Sequence, residues 1–156
     1  MRLTKQTDYA FRILMFCAAA GNRLCRVSDV ARAYGASEPF LFKILNPLVE
    51  AGLVETVRGR NGGIRLARPA GEITLADVAL VTEDTFDMAE CFEAGGTDCP
   101  LIENCQLTTA LRRALDAFFA VLAEVTIDDL SKPSAAVTQL LAMIDNSPKP
   151  PDPAYG

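Results

Sequence analysis

The order of local patterns between residues 28 and 68 limits the folds open to this chain more than any other feature of its sequence. Two short helical segments, SDVARAY and EPFLFKILNPLVE, are separated by Gly35 and two further residues. Two strand-like segments follow at once, LVETVR and IRLAR, with the turn GRNGG between them. A helix pair joined by a short glycine-containing turn is typical of a helix-turn-helix, and a glycine-rich turn between alternating strands predicts a β-hairpin. Together they predict a winged helix-turn-helix.

Local signals place the ends of these two helices. Ser28 and Ser37 are each predicted to cap a helix, since a serine side chain accepts a hydrogen bond from first-turn amides, and Gly35 ends the first helix. Pro47 removes one hydrogen bond inside the second helix, so we expect a kink there. One face of that helix is expected to be buried: Leu41, Leu45, Leu48 and Val49. The other is expected to point outward: Pro39, Lys43, Asn46 and Glu50.

Further helices are predicted on both sides of this unit. An apolar helix covers residues 8–20, and Thr74 caps a short helix with Leu75, Val78 and Ala79 inward. A long helix is predicted from about Glu103 to Thr126, with apolar residues every three or four positions: Leu111, Leu115, Phe118, Leu122 and Val125. Because this heptad-like seam extends beyond a domain that has its own core, it indicates a dimer interface.

The predicted fold class is therefore mainly α with a small β-hairpin, and the chain divides into four parts. Residues 1–70 form the winged helix-turn-helix domain, and 71–104 form a connecting helix and a Cys-rich loop. Residues 105–130 form the dimerisation helix, and 131–156 form a short helix, over 134–144, and a disordered Pro-rich tail.

The distribution of charge points to a polyanion as the partner of the N-terminal half. Residues 1–68 hold 11 Lys and Arg against 5 Asp and Glu, a net charge of +6. Residues 69–156 hold 4 against 15, a net charge of −11. A basic winged domain can meet duplex DNA while the acidic half faces away from it. Solvated charged faces are the alternative interpretation of such a pattern.

Candidate DNA contacts lie on the second helix, the hairpin tip and the N-terminus. A glutamate accepts from cytosine N4, a lysine donates to guanine, and an aromatic ring contacts the thymine methyl. An arginine on such a wing commonly enters the minor groove. By itself GRNGG is a tight hairpin, and it lacks the Lys-Ser/Thr that a phosphate loop needs. The candidates are Arg2, Lys5, Ser28, Ser37, Glu38, Phe40, Lys43, Arg58, Arg60 and Asn61.

Three of the five cysteines lie within the stretch CFEAGGTDCPLIENC, as Cys91, Cys99 and Cys105. The gaps of seven and five residues fit no zinc knuckle, and thiolates on irregular loops suit iron–sulfur clusters. On spacing alone, a cluster, a zinc ion and free redox thiols all remain open. Cys17 and Cys25 lie in apolar surroundings and are expected in the core.

Enzymatic activity is not expected. The chain has no histidine, the commonest base for a nucleophilic thiol, and carries no nucleotide-binding motif, so no small-molecule substrate is expected either. No apolar run is long enough to span a membrane, and the N-terminus MRLTKQTDYAF does not resemble a secretory signal. We therefore expect a cytoplasmic protein with reduced thiols and no membrane partner.

Several of these motifs, taken in order, resemble the Rrf2 family of bacterial winged-helix transcription regulators, many of which are iron–sulfur sensors. The matching stretches are MRLTKQTDYAFRIL, KILNPLVEAGLVE, RGRNGGIRLARP, ITLADV and the three-Cys loop before a long helix, across roughly residues 1–130. The resemblance implies a homodimer on a near-palindromic double-stranded operator, with the second helix in the major groove and the wing in the minor groove.

The resemblance also implies an iron–sulfur cluster, [4Fe-4S] or [2Fe-2S], on Cys91, Cys99 and Cys105, and a cluster-loaded form that represses iron-uptake genes. The family's cluster-assembly regulator has five residues in both gaps and a His shortly after the third Cys. This chain has Gln106, Leu107 and Thr108 there instead, so that ligand is missing. The family's nitric-oxide sensor takes an Asp from the partner subunit, and Asp8 matches it. Asp8 is equally compatible with a carboxylate that stabilises a helix N-terminus.

Overall fold

The computed structural model describes residues 2–92, 99–100, 105–132, 139 and 142. Eight elements of regular structure follow in chain order: α1 (Lys5–Ala20), α2 (Val27–Tyr34), α3 (Glu38–Glu50), β1 (Val54–Val57), β2 (Gly63–Leu66), α4 (Leu75–Thr82), α5 (Gln106–Glu124) and α6 (Ile127–Ser131). Short 3-10 turns cover Ala70–Glu72 and Glu90–Phe92. The chain is mainly α with one hairpin, as predicted. Most of the predicted helix over 134–144 and the whole Pro-rich tail lie outside the described residues.

Helix α1 is the centre of the core, since α3, α4, α6 and β2 all pack against it. Thr4 caps its N-terminus by accepting a hydrogen bond from the amide of Thr7, and Gly21 ends it at a φ of 63°. Its buried face meets side chains from every neighbouring element. The largest fully buried side chains of this core, from α1 and from the elements around it, are Ile13, Leu14, Phe16, Val30, Leu41, Ile44, Leu48, Leu53, Val54, Ile73, Val78 and Ile127. Cys17 and Cys25 are buried as expected.

The helix pair has the predicted order, but two predicted details differ. Helix α2 begins at Val27 after Arg26, so Ser28 lies in the first turn and caps nothing; Gly35 ends the helix in the left-handed region. Ser37 occupies the N-cap position of α3, but its side chain makes no capping hydrogen bond. Helix α3 extends past Pro47 to Glu50, although Pro47 has no backbone N–H to donate.

The buried face of α3 is rotated from the predicted one. Ile44 is fully buried, whereas Val49 is exposed. At about 100° per residue, Ile44 lies about 60° from Leu41 on one side and Val49 about 80° on the other. The side that contains Ile44 faces the core of the domain. The predicted outward residues Pro39, Lys43, Asn46 and Glu50 are all exposed.

The hairpin is tied to the rest of the domain through Cys25. Strands β1 and β2 pair antiparallel, with Val54 opposite Leu66. The backbones of Cys25 and Ile64 exchange two hydrogen bonds of 2.9 and 2.8 Å, so the segment before α2 forms an isolated β-bridge with the hairpin. A Cβ on Gly63 would lie 2.5 Å from the carbonyl oxygen of Cys25. Glycine is therefore required where the wing meets this segment.

The C-terminal part returns to the winged domain, which the sequence patterns did not indicate. A bridge between Thr74 and Thr126 places α6 beside the start of α4, and Ile127 is fully buried. Thr74 and Thr126 each cap the following helix through a capping box, and for Thr74 this confirms the prediction. Helix α5 begins three residues later than predicted, because Cys105 has extended backbone angles. In the part of the chain that the structure describes, no helix is long and apolar enough to cross a membrane.

Candidate nucleic-acid interface and metal centre

The exposed side of α3 presents an aromatic side chain that sequence analysis missed. Phe42 is 51% exposed, one turn after Glu38 and one turn before Asn46. Phe40, the predicted contact, packs its ring edge against Tyr9 with the ring centroids 5.2 Å apart. The spacing of four residues between Glu38, Phe42 and Asn46 could have predicted that Phe42 lies on the exposed face, because residues at that spacing share a helix face.

Cationic and polar side chains flank this face of α3. Lys43 is exposed on the helix itself, and the ammonium group of Lys5 lies 5.3 Å from the centroid of the Phe40 ring. Arg2 is exposed just before α1, and the segment between them is held by a hydrogen bond of 2.6 Å from the amide of Thr4 to Glu83. The N-terminus is thereby fixed beside the C-terminal end of α4.

The hairpin tip carries the predicted donors in an accessible position. Arg58, Arg60 and Asn61 are all exposed. On the adjoining strand, Arg65 forms an ion pair with Glu55. Within the described ranges, Arg58 and Arg60 have no such carboxylate partner. Their guanidinium groups can therefore bind an external anion without breaking an internal ion pair.

The predicted caps take different positions relative to this face. Ser37 is exposed at the N-terminus of α3, and its hydroxyl satisfies none of the first-turn amides. Amides left in this way can bind phosphate, because the helix dipole also favours negative charge there. Ser28 is exposed in the first turn of α2.

Two of the predicted thiol ligands meet at the N-terminus of α5. Cys105 is the N-cap residue of that helix, and Cys91 lies in the 3-10 turn Glu90–Phe92. The Cys91 Sγ lies 3.4 Å from the Oγ1 of Thr108. The hydrogen bond from the Thr108 side chain lowers the pKa of the Cys105 thiol, and the backbone amides of Thr108 and Leu107 add to this. This helix end therefore favours the thiolate form of Cys105.

Cys99 is half-buried and is also a free thiol. Among the described residues, no three His, Cys, Asp or Glu side chains are arranged so that they could hold a metal ion. Thiol donors at a helix N-terminus fit a soft metal or an iron–sulfur cluster in their chemistry, since both bind thiolate. The structure brings Cys91 and Cys105 to a common neighbour, Thr108, and does not extend this grouping to Cys99.

Asp8, the candidate fourth ligand, has a partner within its own helix. Its carboxylate lies 2.8 Å from the guanidinium of Arg12 and is about half exposed. The Cζ of Arg12 also lies 4.9 Å from the centroid of the Tyr9 ring and 5.7 Å from that of Tyr34. Ligation by Asp8 would have to compete with this ion pair.

Helix α5 has no buried residue, although it is the longest helix described. It packs against α4, and Phe119 contacts Phe86 with the ring centroids 4.7 Å apart. Leu107 and Val121 are 63% and 60% exposed. The predicted seam is only half-buried: Leu111, Leu115, Phe118, Leu122 and Val125. A single subunit thus leaves the apolar surface of α5 partly uncovered.

Comparison with known proteins gives one consistent answer. The family model described as "Rrf2: Iron-dependent Transcriptional regulator" matches residues 3–133. The protein aau3 of Rhizobium meliloti (strain 1021) is 66% identical over 143 residues, 92% of this chain and 93% of that protein. The HTH-type transcriptional regulator NsrR of Geobacillus kaustophilus (strain HTA426) is 42% identical over 142 residues, 90% of this chain and 97% of that protein.

Solved structures show the same fold. CymR (YrzC), the global cysteine regulator of B. subtilis, superposes with a TM-score of 0.66 at 26% identity, over 84% of this chain and 96% of that one. IscR of T. potens superposes with a TM-score of 0.63 at 24% identity, over 85% of this chain and 87% of that one. The arrangement of helix pair, hairpin and long helix is therefore a recurring one.

Proposed function

The chain belongs to the Rrf2 family of transcriptional regulators, and from that premise we propose that it is an iron–sulfur-dependent repressor that responds to iron status and controls iron-uptake genes. The observation that carries the proposal is the meeting of Cys91 and Cys105 around Thr108 at the start of a helix whose apolar surface is uncovered. A thiolate site at one end of a dimerisation helix is suited to a sensor that acts on the geometry of a dimer.

In the proposed complex, α3 enters the major groove of duplex DNA and the hairpin tip enters the minor groove. Phe42 on the exposed face contacts thymine methyl groups, while Glu38 and Lys43 reach base edges. Arg58, Arg60 and Asn61 occupy the minor groove. Arg2 and Lys5 bind phosphates, which sets the register of the domain without carrying sequence information.

The cysteines supply the sensing site of each subunit. Cys91, Cys99 and Cys105 hold the cluster, [4Fe-4S] with conversion to [2Fe-2S], and Asp8 of the other subunit is the proposed fourth ligand. The bound group supplies a centre whose assembly depends on iron supply and whose loss follows iron shortage or oxidants. Three thiolates with one oxygen ligand leave one iron weakly held, which suits a sensor.

Contacts between helices offer a route from the thiol site to DNA. Helix α5 begins at the residue after Cys105 and packs on α4, and α4 packs on both α1 and α3. Fixing the N-terminus of α5 therefore fixes α4 and, through it, the orientation of α3. Because the half-sites of a dimer lie about one turn of DNA apart, a small change in the spacing of the two α3 helices changes affinity.

The alternative is a regulator without a cluster, which senses oxidants through its thiols or holds zinc. Two observations favour it. Among the described residues, Cys99 does not form a three-ligand group with the other two thiols. The lowered pKa of Cys105 also increases the fraction of its thiol that is present as reactive thiolate. Both versions bind DNA, so the two are separated by the bound group and not by a gel shift.

The test is anaerobic preparation of the full chain with iron and sulfide, followed by absorbance spectroscopy and iron and sulfide analysis. A brown protein with thiolate-to-iron absorption supports the proposal, and a colourless one overturns it in favour of zinc or free thiols. Cys99→Ala should abolish the colour together with the iron-dependent binding of duplexes selected from a random library. Cys17→Ala is the matched control, because it removes a thiol from the core and not from the proposed site.

A further inference from the structure

Thr108 lies at the thiol site but is neither a proposed ligand of the cluster nor a proposed DNA contact. It lies in the first turn of α5, three residues after Cys105, and is half-buried. Its Oγ1 lies 3.4 Å from the Cys91 Sγ. Because Cys105 is the N-cap residue of the same helix, Thr108 connects the sulfur of Cys91 to the helix end that carries Cys105.

The chemistry of these groups fixes the direction of the hydrogen bond once the sulfurs are ionised. A thiolate has no proton to donate, so the hydroxyl must be the donor. Hydrogen bonds to an ionised acceptor are stronger than those between neutral groups. Cys105 is the N-cap residue of α5 itself. Cys91 approaches from outside this helix, so its contact with Thr108 ties the 3-10 turn Glu90–Phe92 to α5.

We propose that Thr108 is a positioning residue for the cluster: its hydroxyl donates to the thiolate of Cys91, holds that sulfur against the N-terminus of α5 beside Cys105 and sets how tightly the site retains its iron. This inference rests on the proposed function, because it concerns the same site. Thr108 is not a ligand in it and acts only through the sulfur of Cys91. Groups that orient metal ligands in this way commonly change metal affinity by about 10- to 100-fold when removed.

Two substitutions separate the hydroxyl from the rest of the side chain. Thr108→Val keeps the branched shape and the methyl group and removes the donor. Thr108→Ser keeps the donor and removes the methyl group. If Thr108 serves only in packing, serine is the damaging change and valine is harmless; the proposal requires the opposite order. Valine and threonine have similar helix propensities, so α5 should form in both variants.

Thr109→Val is the matched control at the next position. The Thr109 hydroxyl donates to the carbonyl oxygen of Cys105 at 3.2 Å and is exposed, so this variant also loses a helix hydroxyl, one that bonds to the backbone. It should behave like the wild type in every measurement of the cluster.

The experiment uses the full-length, anaerobically reconstituted protein and follows the bleaching of its absorbance after addition of a ferrous chelator. Thr108→Val should lose its cluster about tenfold faster than the wild type. Its reduction potential should be more negative, since a donor to sulfur stabilises the added electron. Its iron–cysteine stretching bands in resonance Raman spectra should move to higher frequency, because the sulfur donates more charge to iron. Thr108→Ser should restore all three values.

Each outcome decides between named possibilities. A coloured wild type in which Thr108→Val bleaches at the wild-type rate, or in which Thr108→Ser is as impaired as Thr108→Val, overturns the role of Thr108 and leaves the proposed function intact. A wild-type protein that binds no cluster overturns the proposed function, and the role of Thr108 with it.

Discussion

The carboxylate of Asp8 lies 2.8 Å from the guanidinium of Arg12, one turn further along α1. Both side chains are substantially exposed, and an exposed pair at this spacing contributes only about 0.3–0.5 kcal/mol to stability. Such a weak ion pair would not prevent the Asp8 carboxylate from binding an iron atom of the proposed cluster. The pairing therefore provides a way to separate a structural role of this carboxylate from ligation in a partner subunit.

For Asp8 we predict that Asp8→Ala bleaches faster than the wild type after anaerobic reconstitution and has an altered absorbance spectrum. Arg12→Ala breaks the same ion pair and keeps the carboxylate, so its cluster should be at least as stable as that of the wild type. Thermal unfolding should change little in Asp8→Ala, because the pair is exposed. Arg12→Ala should lower the unfolding temperature more, because it also loses the contacts of the guanidinium with the Tyr9 and Tyr34 rings. Equal bleaching rates for Asp8→Ala and the wild type would remove Asp8 from the ligand set.

For α3 we predict that Phe42→Ala weakens specific DNA binding by about 1 kcal/mol, the order expected for loss of one base contact, with little change in thermal stability. Phe40→Ala, in contrast, should lower the thermal stability, since it removes the ring that packs on Tyr9. Fluorescence anisotropy with a duplex selected from a random library measures the first effect, and thermal unfolding measures the second. A Phe42→Ala protein with unchanged affinity and sequence preference would place this side chain outside the interface.

For the wing we predict that Gly63→Ala lowers the free energy of unfolding by about 1–3 kcal/mol, the usual cost of overpacking. The added Cβ would lie 2.5 Å from the carbonyl oxygen of Cys25, so the hairpin must move away from the segment before α2. DNA affinity should fall as well, because the wing loses its anchor. Gly71→Ala is the control, since its Cβ would meet its nearest neighbour only at 4.0 Å. Equal urea midpoints for the two variants would contradict this role of Gly63.

For α6 we predict a loss of stability in acid that depends on Asp129. Its carboxylate accepts hydrogen bonds from Lys132 and Thr126, and these hold the pKa of Asp129 well below its usual value of 3.8. A depressed pKa means that the contribution is present above the pKa of the unfolded chain and is lost as the pH falls below it.

Urea midpoints at about pH 6 and about pH 3 measure this contribution. Asp129→Asn should show a smaller decrease between the two values than the wild type. Asp128→Asn removes the same charge from α6 outside the capping box, and its decrease should match that of the wild type. An unchanged decrease in Asp129→Asn would assign the acid sensitivity to other carboxylates.

Much of the winged domain could be predicted because its signals are local. A glycine in the left-handed region ends α2 at Gly35, and a threonine caps α4 at Thr74, whatever the rest of the chain does. The turn GRNGG defines the hairpin in the same way. The serine caps were less reliable, since the backbone at Arg26 and not at Ser28 begins α2. Several neighbouring residues can occupy the N-cap position of a helix, and the packing of that helix determines which of them does.

The candidate site was predictable in its residue types and not in its contacts. The sequence identified Cys91, Cys99 and Cys105 as a group. It drew attention to Thr108 only because the family's cluster-assembly regulator has a histidine shortly after the third cysteine. Its role as a neighbour of two sulfurs depends on where the 3-10 turn Glu90–Phe92 lies relative to α5. No periodicity in the chain carries that information, because residues 93–105 lie between the two segments.

The sequence by itself determined the kind of protein: the order of helix pair, hairpin and cysteine loop, the basic N-terminal half and the burial of Cys17 and Cys25. These follow from short-range backbone preferences and from composition. Only the tertiary structure decided which aromatic ring of α3 is exposed and that Ile127 returns to the core. It also decided that Thr108 joins Cys91 to the end of α5. Each of these depends on how one element is rotated against another, and that rotation is set by the packing of the whole core and not by any local pattern.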